Sequence, residues 1–294
     1  MNNLGQRLRE HGLSRVVDMI LSHAKESIHL TARTVDEAIL DVGASKLGGL
    51  PDLPLEVTWP EADNGPLPFV AQIKIIDVAP LDAEHLLPSS GLLSFFYGND
   101  WDEKSGTVYT YWKVIYVDDD LSRLTRRQLP QALFDSPRYH ACAVDFSIEQ
   151  TLPDLSSTIV HDLRLSQEER AAYSDLYLGL DGPIYERNEN PAHRLLGYPY
   201  NLGEDVLIEC YLASRHRDAN DLIQAAREAA HGDWSRRRRL EQEAADWRLL
   251  LQVDSNEESG MDWEASSGLI YYCITQEDLH NKNFNNVQVV AQAH

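Results

Sequence analysis

The stretch SKLGGLPDLP, residues 45–54, restricts its own backbone with two glycines and two prolines, and it has a counterpart later in the chain. KLGGLP at 46–51 matches RLLGYP at 194–199, as a basic residue and a leucine followed by Gly-x-Pro. Glycine permits a positive φ or a close backbone approach, and proline disfavours helix in the residue before it. A phosphate-binding loop needs glycines that open directly into a helix. We therefore predict that 46–51 and 194–199, the first and second corner, are structural turns.

Two further blocks follow each corner in the same order. FVAQI at 69–73 matches LLLQV at 249–253, which aligns Gln72 with Gln252. SGLLSFF at 90–96 matches SGLIYYC at 267–273. Three blocks in one order indicate an internal duplication. We therefore predict two divergent halves that are related by a pseudo-twofold axis and share one core.

The remaining patterns predict an α+β protein with a mainly antiparallel sheet, because apolar strand patterns cluster without regular helical crossovers. STIVHDLRL at 157–165 is a weak strand candidate in this pattern. Helical spacing predicts an N-terminal helix and a helical insertion in the second half. The predicted organisation is a single domain, 1–294, made of the N-terminal helix (1–30), a first half (31–150), a connecting segment (151–190) and a second half (191–294) with its insertion at 218–245.

Five blocks carry a resemblance to a known family. They are SKLGGLPDLPLEVTWP, PLPFVAQIKI, LLPSSGLLSFFYG, HRLLGYP and DWRLLLQVDS, which begin at residues 45, 66, 86, 193 and 246. The chain resembles the YwqG-like family, a domain of unknown function numbered 1963, over roughly residues 30 to 290. The resemblance implies an α+β domain without established chemistry. Some bacterial members resemble neighbours or partners in toxin–immunity systems, which makes an inhibitor role conceivable here.

Composition and charge limit the class of protein. The chain is 43% hydrophobic and 25% charged, and a soluble domain of 294 residues can bury a core without disulfides or metal. A net charge of −21 repels phosphates and anionic lipid, so we predict no nucleic-acid and no membrane partner, while a basic protein partner stays open. Three widely spaced cysteines among apolar residues, and an N-terminus without a signal-like apolar segment, predict a cytoplasmic protein.

Four polar residues form a candidate ligand site at the seam between the halves. Gln72 and Gln252 interrupt apolar strands, and two amides that met near the axis could bind a ligand through their donors and acceptors. Each amide could equally hydrogen-bond loop backbone and hold its own corner. Lys46 and Arg194 take matching places in the corners and could hold an anionic ligand. A small-molecule-binding protein or an enzyme with its site at this seam is our alternative hypothesis.

Catalytic and metal-binding motifs are absent from the sequence, which has no HExxH, CxxC, GxSxG, GxGxxG or phosphate-binding loop. The acidic loop DSNEESGMDWE, 254–264, does not fit a calcium-binding loop. Counted from Asp254, Gly260 falls at position 7 instead of 6, and position 12 is Ala265. We therefore predict no metal and no cofactor. Enzymatic activity stays open, although the patterns favour a protein without one.

The leading hypothesis is a non-enzymatic, acidic protein-interaction module, conceivably an immunity or inhibitor protein for a basic partner. Two tryptophans lie among acidic residues, where they could anchor a partner or pack within their own loops. Exposed carboxylates beside them would attract a basic surface. The candidate contact residues are Trp101, Trp263, Asp254, Glu257, Glu258 and Asp262.

Overall fold

The structure of the chain is a computed structural model that describes residues 4–63, 65–102, 107–118, 120–133, 139–181, 191–216, 220–263 and 268–293. Within these ranges the chain has a mixed α/β fold around one large sheet, and every ladder in that sheet is antiparallel. The predicted class, helices combined with a mainly antiparallel sheet, is therefore confirmed.

The described residues form fourteen strands in three sheets. The large sheet has ten strands, and two pairs of short strands form the others. The strands are β1 (Lys25–Thr34), β2 (Lys46–Leu47), β3 (Asp52–Pro54), β4 (Glu61–Ala62), β5 (Gly65–Pro66), β6 (Phe69–Lys74), β7 (Leu92–Asp102), β8 (Thr107–Val117), β9 (Leu124–Arg126), β10 (Cys142–Thr151), β11 (Arg194–Leu195), β12 (Trp247–Asp254), β13 (Leu269–Thr275) and β14 (Gln288–Gln292).

The strand order of the large sheet is β14-β13-β12-β11-β1-β10-β2-β6-β7-β8. At its centre β1 and β10 pair along their full length, from Lys25 opposite Thr151 to Thr34 opposite Cys142. The two corners supply the short strands β2 and β11 on either side of that pair. β3 pairs with β9 and β4 pairs with β5 outside the large sheet.

Nine α-helices lie in the described residues. They are α1 (Leu4–Glu10), α2 (Val17–His23), α3 (Ile75–Val78), α4 (Thr158–Asp162), α5 (Gln167–Asp181), α6 (Val206–Ser214), α7 (Asn220–Ala230), α8 (Ser235–Glu243) and α9 (Gln276–His280). None of the helices in these ranges combines the length and the hydropathy that crossing a bilayer requires.

Three local features differ from, or refine, the sequence-based boundaries. Residues 1–30 contain two helices and the start of β1, because the chain turns at Gly12 with a φ of 83°. The predicted weak strand at 157–165 is wrong, since Ser157 caps α4 by accepting a hydrogen bond from the Val160 N–H. Within 218–245 there are two helices, α7 and α8, which are separated at Gly232.

The strands are apolar on both faces because each face meets a different core. In β13, Ile270, Tyr272 and Ile274 belong to the main core, which lies on one face of the sheet. The alternate side chains of β13 pack instead beneath α6, α7 and α8 in a second core. Side chains on a strand alternate between faces. A strand that is buried on both faces therefore reads as a continuous apolar run.

The large sheet curls around the main core, so that strands distant in the order approach one another. The rings of Phe95 in β7 and Tyr272 in β13 lie 5.0 Å apart, centroid to centroid. At the edges, Trp112 Nε1 in β8 donates to the Val287 carbonyl just before β14, at 2.7 Å. This curl follows the natural twist of strands. It brings β7 close to the loop before β13, where a cavity opens.

Candidate functional site

Gln72 in β6 holds the first corner in place. Its side-chain Oε1 accepts from the Asp52 N–H at 2.9 Å, and its Nε2 donates to the Ala44 carbonyl at 2.7 Å and to Asp52 Oδ2 at 2.8 Å. Lys46 is the residue opposite Gln72 in the β2–β6 ladder. Because Gln72 is fully buried and both ends of its amide are used, this side chain belongs to the framework.

Gln252 in β12 does the same for the second corner. Its Oε1 accepts from the Tyr200 N–H at 2.9 Å, and its Nε2 donates to the Ala192 carbonyl at 2.6 Å. Arg194 lies opposite Gln252 in the β11–β12 ladder. The amide again joins an alanine carbonyl before the corner to a backbone N–H after it. The sequence left two roles open for this glutamine, ligand binding and hydrogen bonding to the loop backbone. The geometry shows the second role.

The structure does not bring Gln72 and Gln252 together. Four strands, β2, β10, β1 and β11, lie between β6 and β12. At about 4.8 Å for each of the five steps between neighbouring strands, the two amides are roughly 24 Å apart along the sheet. The curl of the sheet does not shorten this separation, because Gln72 lies opposite Ser94 and Gln252 opposite Tyr271, on the face that turns away from the main core.

The basic residues of the corners are buried in ion pairs. Lys46 has no exposed surface, and its Nζ lies 2.8 Å from Glu37 Oε1 and 3.6 Å from Asp52 Oδ2. Burial lowers the pKa of Lys46, although both carboxylates oppose that shift. Arg194 is equally enclosed, with its Nε 2.9 Å from Glu149 Oε1. These cations already have anionic partners, so their first role is to hold the corners.

The candidate contact residues of the acidic loop divide into buried and exposed groups. Asp254 is 1% exposed and its Oδ2 accepts from the Ala192 N–H, so it is part of the second corner. Trp263 is 7% exposed. Glu257, Glu258 and Asp262 are exposed, and Glu258 Oε2 accepts from the Thr34 N–H at 3.4 Å.

Trp101 is the remaining contact candidate. Its backbone belongs to β7, and its side chain lies outside the part of the chain that the structure describes.

Internal hydrogen bonds give the acidic loop a defined shape. Asn256 and Met261 form an isolated bridge, and Asn256 Oδ1 accepts from the Glu258 N–H at 2.9 Å. Gly260 has a φ of 71°, which permits the tight return. The loop therefore presents its carboxylates at set positions, and the next residue after Asp262, Trp263, turns inward.

A cavity of about 540 Å³ lies beside this loop, where β7 approaches the segment before β13. This size is within the range of small-molecule sites in proteins. Four aromatic side chains and two polar ones are the features of its wall that bear on binding: Tyr97, Tyr111, Tyr139, Trp263, Asn99 and Asp262.

Three of these rings form perpendicular walls. Trp263 stands at 83° to Tyr97, with ring centroids 6.0 Å apart, and at 70° to Tyr139, with centroids 5.4 Å apart. Burial raises the pKa of the Tyr139 hydroxyl well above its ordinary range. These edge-to-face contacts are a favourable arrangement for aromatic pairs, so the walls are held rigidly relative to one another.

The indole N–H of Trp263 is enclosed and has no hydrogen-bond partner among the described residues. A buried donor without an acceptor costs about 1–3 kcal/mol. Native proteins retain few such groups, and those that persist often lie near functional sites.

A second cavity, of about 630 Å³, lies next to the first and has Pro68, Leu133 and Tyr139 in common with it. Its wall is mostly apolar and includes Gly49 and Leu50 of the first corner. Tyr139 thus contributes to both spaces. The first corner therefore contributes Gly49 and Leu50 to the wall of this second cavity.

The cavity of about 540 Å³ beside the acidic loop is called the aromatic cavity below. Sequence reasoning missed its tyrosines. Tyr97 follows the aromatic run SFF in β7, and Tyr139 precedes β10, far away in the chain. Trp263 was named as a partner anchor or as a residue packed within its own loop, and not as a cavity wall. Among the described residues, no group of three or more His, Cys, Asp or Glu is placed to hold a metal ion. The volume of the aromatic cavity and its ring-lined wall are suited to holding a small ligand.

Comparison with known families agrees with the resemblance read from the five sequence blocks. A family model described as a domain of unknown function, DUF1963, matches residues 45–292, which is most of the chain, and the protein belongs to this family. No curated protein matches the chain.

Proposed function

We propose that the protein is a non-enzymatic binding protein whose ligand enters the aromatic cavity beside the acidic loop. The observation that carries the proposal is a cavity of about 540 Å³ walled by Tyr97, Tyr139 and Trp263 at near-perpendicular angles, with the exposed Asp262 at its rim. A preformed cavity of this size, with aromatic walls and polar groups at fixed positions, has the form of a small-molecule site. In this proposal the ligand-binding alternative moves from the seam to the cavity.

A thermal-shift screen of small organic cations, anions, sugars and neutral aromatic compounds tests this proposal. A ligand at 100 times its Kd stabilises the folded state by about 2.7 kcal/mol, a rise of roughly 5 °C in Tm for a chain of this size. Ala132 is exposed on the cavity wall, so Ala132→Trp should fill the cavity and abolish the shift. Ala38→Trp, also at an exposed alanine but away from the wall, is the matched control.

Two results would count against ligand binding at this cavity. One is a screen in which no compound raises the Tm of the wild-type protein. The other is a compound whose effect persists in Ala132→Trp, because its site must then lie elsewhere.

A basic protein partner is the second candidate function, and exposed Glu257, Glu258 and Asp262 on one ordered loop favour it. With a net charge of −21, the association rate with such a partner should fall steeply as salt is raised. An immunity or inhibitor role would follow if the partner's own activity were blocked on binding. If the association rate with a partner were the same at low and high salt, the carboxylates of the acidic loop would not contribute to its association.

We also infer that the fold arose as two halves related by a pseudo-twofold axis. The strand order supports this: outward from β1 and β10, each side has a corner strand, then the strand that carries the glutamine, then an aromatic-rich strand. The hydrogen bonds of Gln72 and Gln252 are equivalent. Gly49 and Gly197 share a φ of 70°. The cytoplasm remains our proposed location, supported by three buried free cysteines.

A further inference from the structure

We infer that a different cavity, beside the second corner, is a binding site for a small organic carboxylate with an apolar body. This cavity, which we call the corner cavity, has a volume of about 240 Å³. The corner cavity and the aromatic cavity share none of their described wall residues. The inference therefore goes beyond the proposed function and does not depend on it. Two basic side chains in the wall, Lys25 and Arg248, indicate the charge of the ligand.

The corner cavity lies where the second corner meets three helices. Its wall includes Tyr198 and Pro199 of the corner, residues at the starts of α4 and α6, and the segment that joins α8 to β12. Most of the wall is apolar, and Ile208 and Trp247 tie it to the second core. A cavity of about 150 Å³ holds benzene. The corner cavity therefore has room for a ring or a short alkyl chain together with a carboxylate.

Lys25, the first residue of β1, lies in this wall without an anionic partner. Its Nζ is 4.6 Å from the ring centroid of Tyr198, and it forms no ion pair with a carboxylate of the described residues. Burial lowers the pKa of Lys25, and the positive charge of Arg248 lowers it further, while the exposed Glu84 opposes the shift from beyond ion-pair distance. Lys25 is thus a partly buried cation with a like charge near it. A bound anion would stabilise its charged form.

Arg248, in β12, also has no ion pair within the described ranges. Its Nη1 donates to the carbonyls of Ala245 and Trp247 at 2.7 and 2.8 Å, and its Nη2 donates to Gln276 Oε1 at 2.7 Å. A guanidinium has five N–H donors. These three bonds orient the side chain and leave the Nε–H and one Nη2–H without a described acceptor. A carboxylate can accept two N–H bonds from one guanidinium.

The three carboxylates of the wall do not neutralise Lys25 and Arg248, because each has internal partners. Glu241 Oε1 accepts from Arg237 Nε at 2.9 Å, and Asp205 Oδ2 accepts from Arg237 Nη2 at 2.8 Å. The third carboxylate, Asp154, caps its own turn by accepting from the Ser156 N–H at 2.7 Å. The charges of the wall that lack an ion pair are therefore positive.

This balance of charge favours a ligand with one negative charge. A monocarboxylate would place that charge near the two cations and its apolar body against the apolar part of the wall, to which Ile159 and Leu207 belong. A dianion such as phosphate would bring a second charge near three carboxylates without a further cation of the described wall to balance it. A neutral amide would form weaker hydrogen bonds, because none would be assisted by charge on the ligand.

Isothermal titration calorimetry of the full chain with phenylacetate and 2-phenylacetamide tests the inference. The two molecules have nearly the same shape and differ in charge. Phenylacetate should bind at least about tenfold more tightly, because a hydrogen bond between two charged groups is roughly twice as strong as a neutral one. Hexanoate and hexanamide extend the comparison to a flexible apolar body. Inorganic phosphate should bind more weakly than either carboxylate.

Three variants identify the cations that hold the carboxylate. Lys25→Met removes no side-chain hydrogen bond of the described structure, and it should weaken phenylacetate binding about tenfold and leave the affinity for the amide unchanged. Arg248→Gln should have the same effect. Arg239→Gln is its matched control, because Arg239 is exposed on α8, outside the described wall. Since Arg248 also contacts the backbone, its variant is interpreted only if its Tm is unchanged; Lys25→Met tests the inference by itself.

Five outcomes would overturn the inference. They are equal affinity for carboxylate and amide, absence of binding by both carboxylates, phosphate binding as tight as that of the carboxylates, equal loss in Lys25→Met and Arg239→Gln, and loss of phenylacetate binding in Ala132→Trp. The last result would place the ligand in the aromatic cavity. Phenylacetate binding that is unchanged in Ala132→Trp and weakened in Lys25→Met would support the corner cavity. The ligand of the aromatic cavity is tested separately by the thermal-shift screen, so either site can fail without the other.

Discussion

Replacing Trp263 by Phe should cost less stability than replacing Trp59 by Phe, although the two side chains are similarly buried. Trp263 is 7% exposed and Trp59 is 9% exposed, so the two substitutions remove similar amounts of buried surface. They differ in the indole N–H. Trp59 Nε1 donates to the Leu67 carbonyl at 2.8 Å, whereas Trp263 Nε1 has no partner among the described residues.

The size of the difference follows from that hydrogen bond. Trp59→Phe leaves the Leu67 carbonyl without its donor, which costs about 1–3 kcal/mol. Trp263→Phe removes a donor that has no partner among the described residues, so this penalty is absent. The free energy of unfolding should therefore be about 1–3 kcal/mol lower in Trp59→Phe than in Trp263→Phe. Guanidinium denaturation followed by circular dichroism measures both, with the slope m compared to verify two-state behaviour.

Equal destabilisation by the two substitutions would refute the reasoning. It would mean that the Trp263 N–H has an acceptor in the free protein. The same measurement in the presence of a ligand found by the screen adds a second readout. Because phenylalanine keeps an aromatic ring at this place in the cavity wall, Trp263→Phe should retain part of the stabilisation that the ligand produces.

Three other predictions concern the corners and one buried acid. Gly49→Ala and Gly197→Ala should each lower the free energy of unfolding, by about 1–3 kcal/mol, because a Cβ would lie 2.4 and 2.7 Å from neighbouring atoms at a φ of 70°. Gly12→Ala, with a φ of 83° but open space around it, should cost less when both are measured by guanidinium denaturation. Gln252→Leu should cost at least about 1–3 kcal/mol, because two buried backbone groups lose their partner; an unchanged denaturation midpoint would contradict the framework role. Burial raises the pKa of Glu209 to about 7, whereas the pKa of a glutamate in an unfolded chain is about 4.3. The folded state therefore keeps this proton to a higher pH than the unfolded state. The free energy of unfolding should consequently fall as pH rises between these two values. Glu209→Gln should flatten that pH profile, and a profile identical to the wild type would show that another group is responsible.

The corners could be predicted from sequence because their determinants are local. Glycines with positive φ and prolines restrict a few consecutive residues, and the repetition of the pattern at 46–51 and 194–199 made the equivalence visible. The repeat also aligned Gln72 with Gln252, which hold equivalent hydrogen bonds. Helices and strands followed from periodicity for the same local reason.

The separation of Gln72 from Gln252 could not be read from the sequence. The duplication suggests a shared axis, but strand order decides which residues lie near it. In the structure β1 and β10 form the centre, and the glutamine strands lie outward on opposite sides. The pairing of β1 with β10 joins segments more than a hundred residues apart. No local pattern specifies that partner.

The sequence by itself thus determined the α+β class, the two corners and the acidic character of the loop that contains Asp262. Only the tertiary structure decided that Tyr97, Tyr139 and Trp263 enclose one cavity, and that Trp263 is a wall of it and not an exposed anchor. The physical reason is that backbone preferences and side-chain periodicity act over a few residues. A cavity forms where strands that are distant in the chain are brought together by pairing and curl, which depend on the packing of the whole sheet.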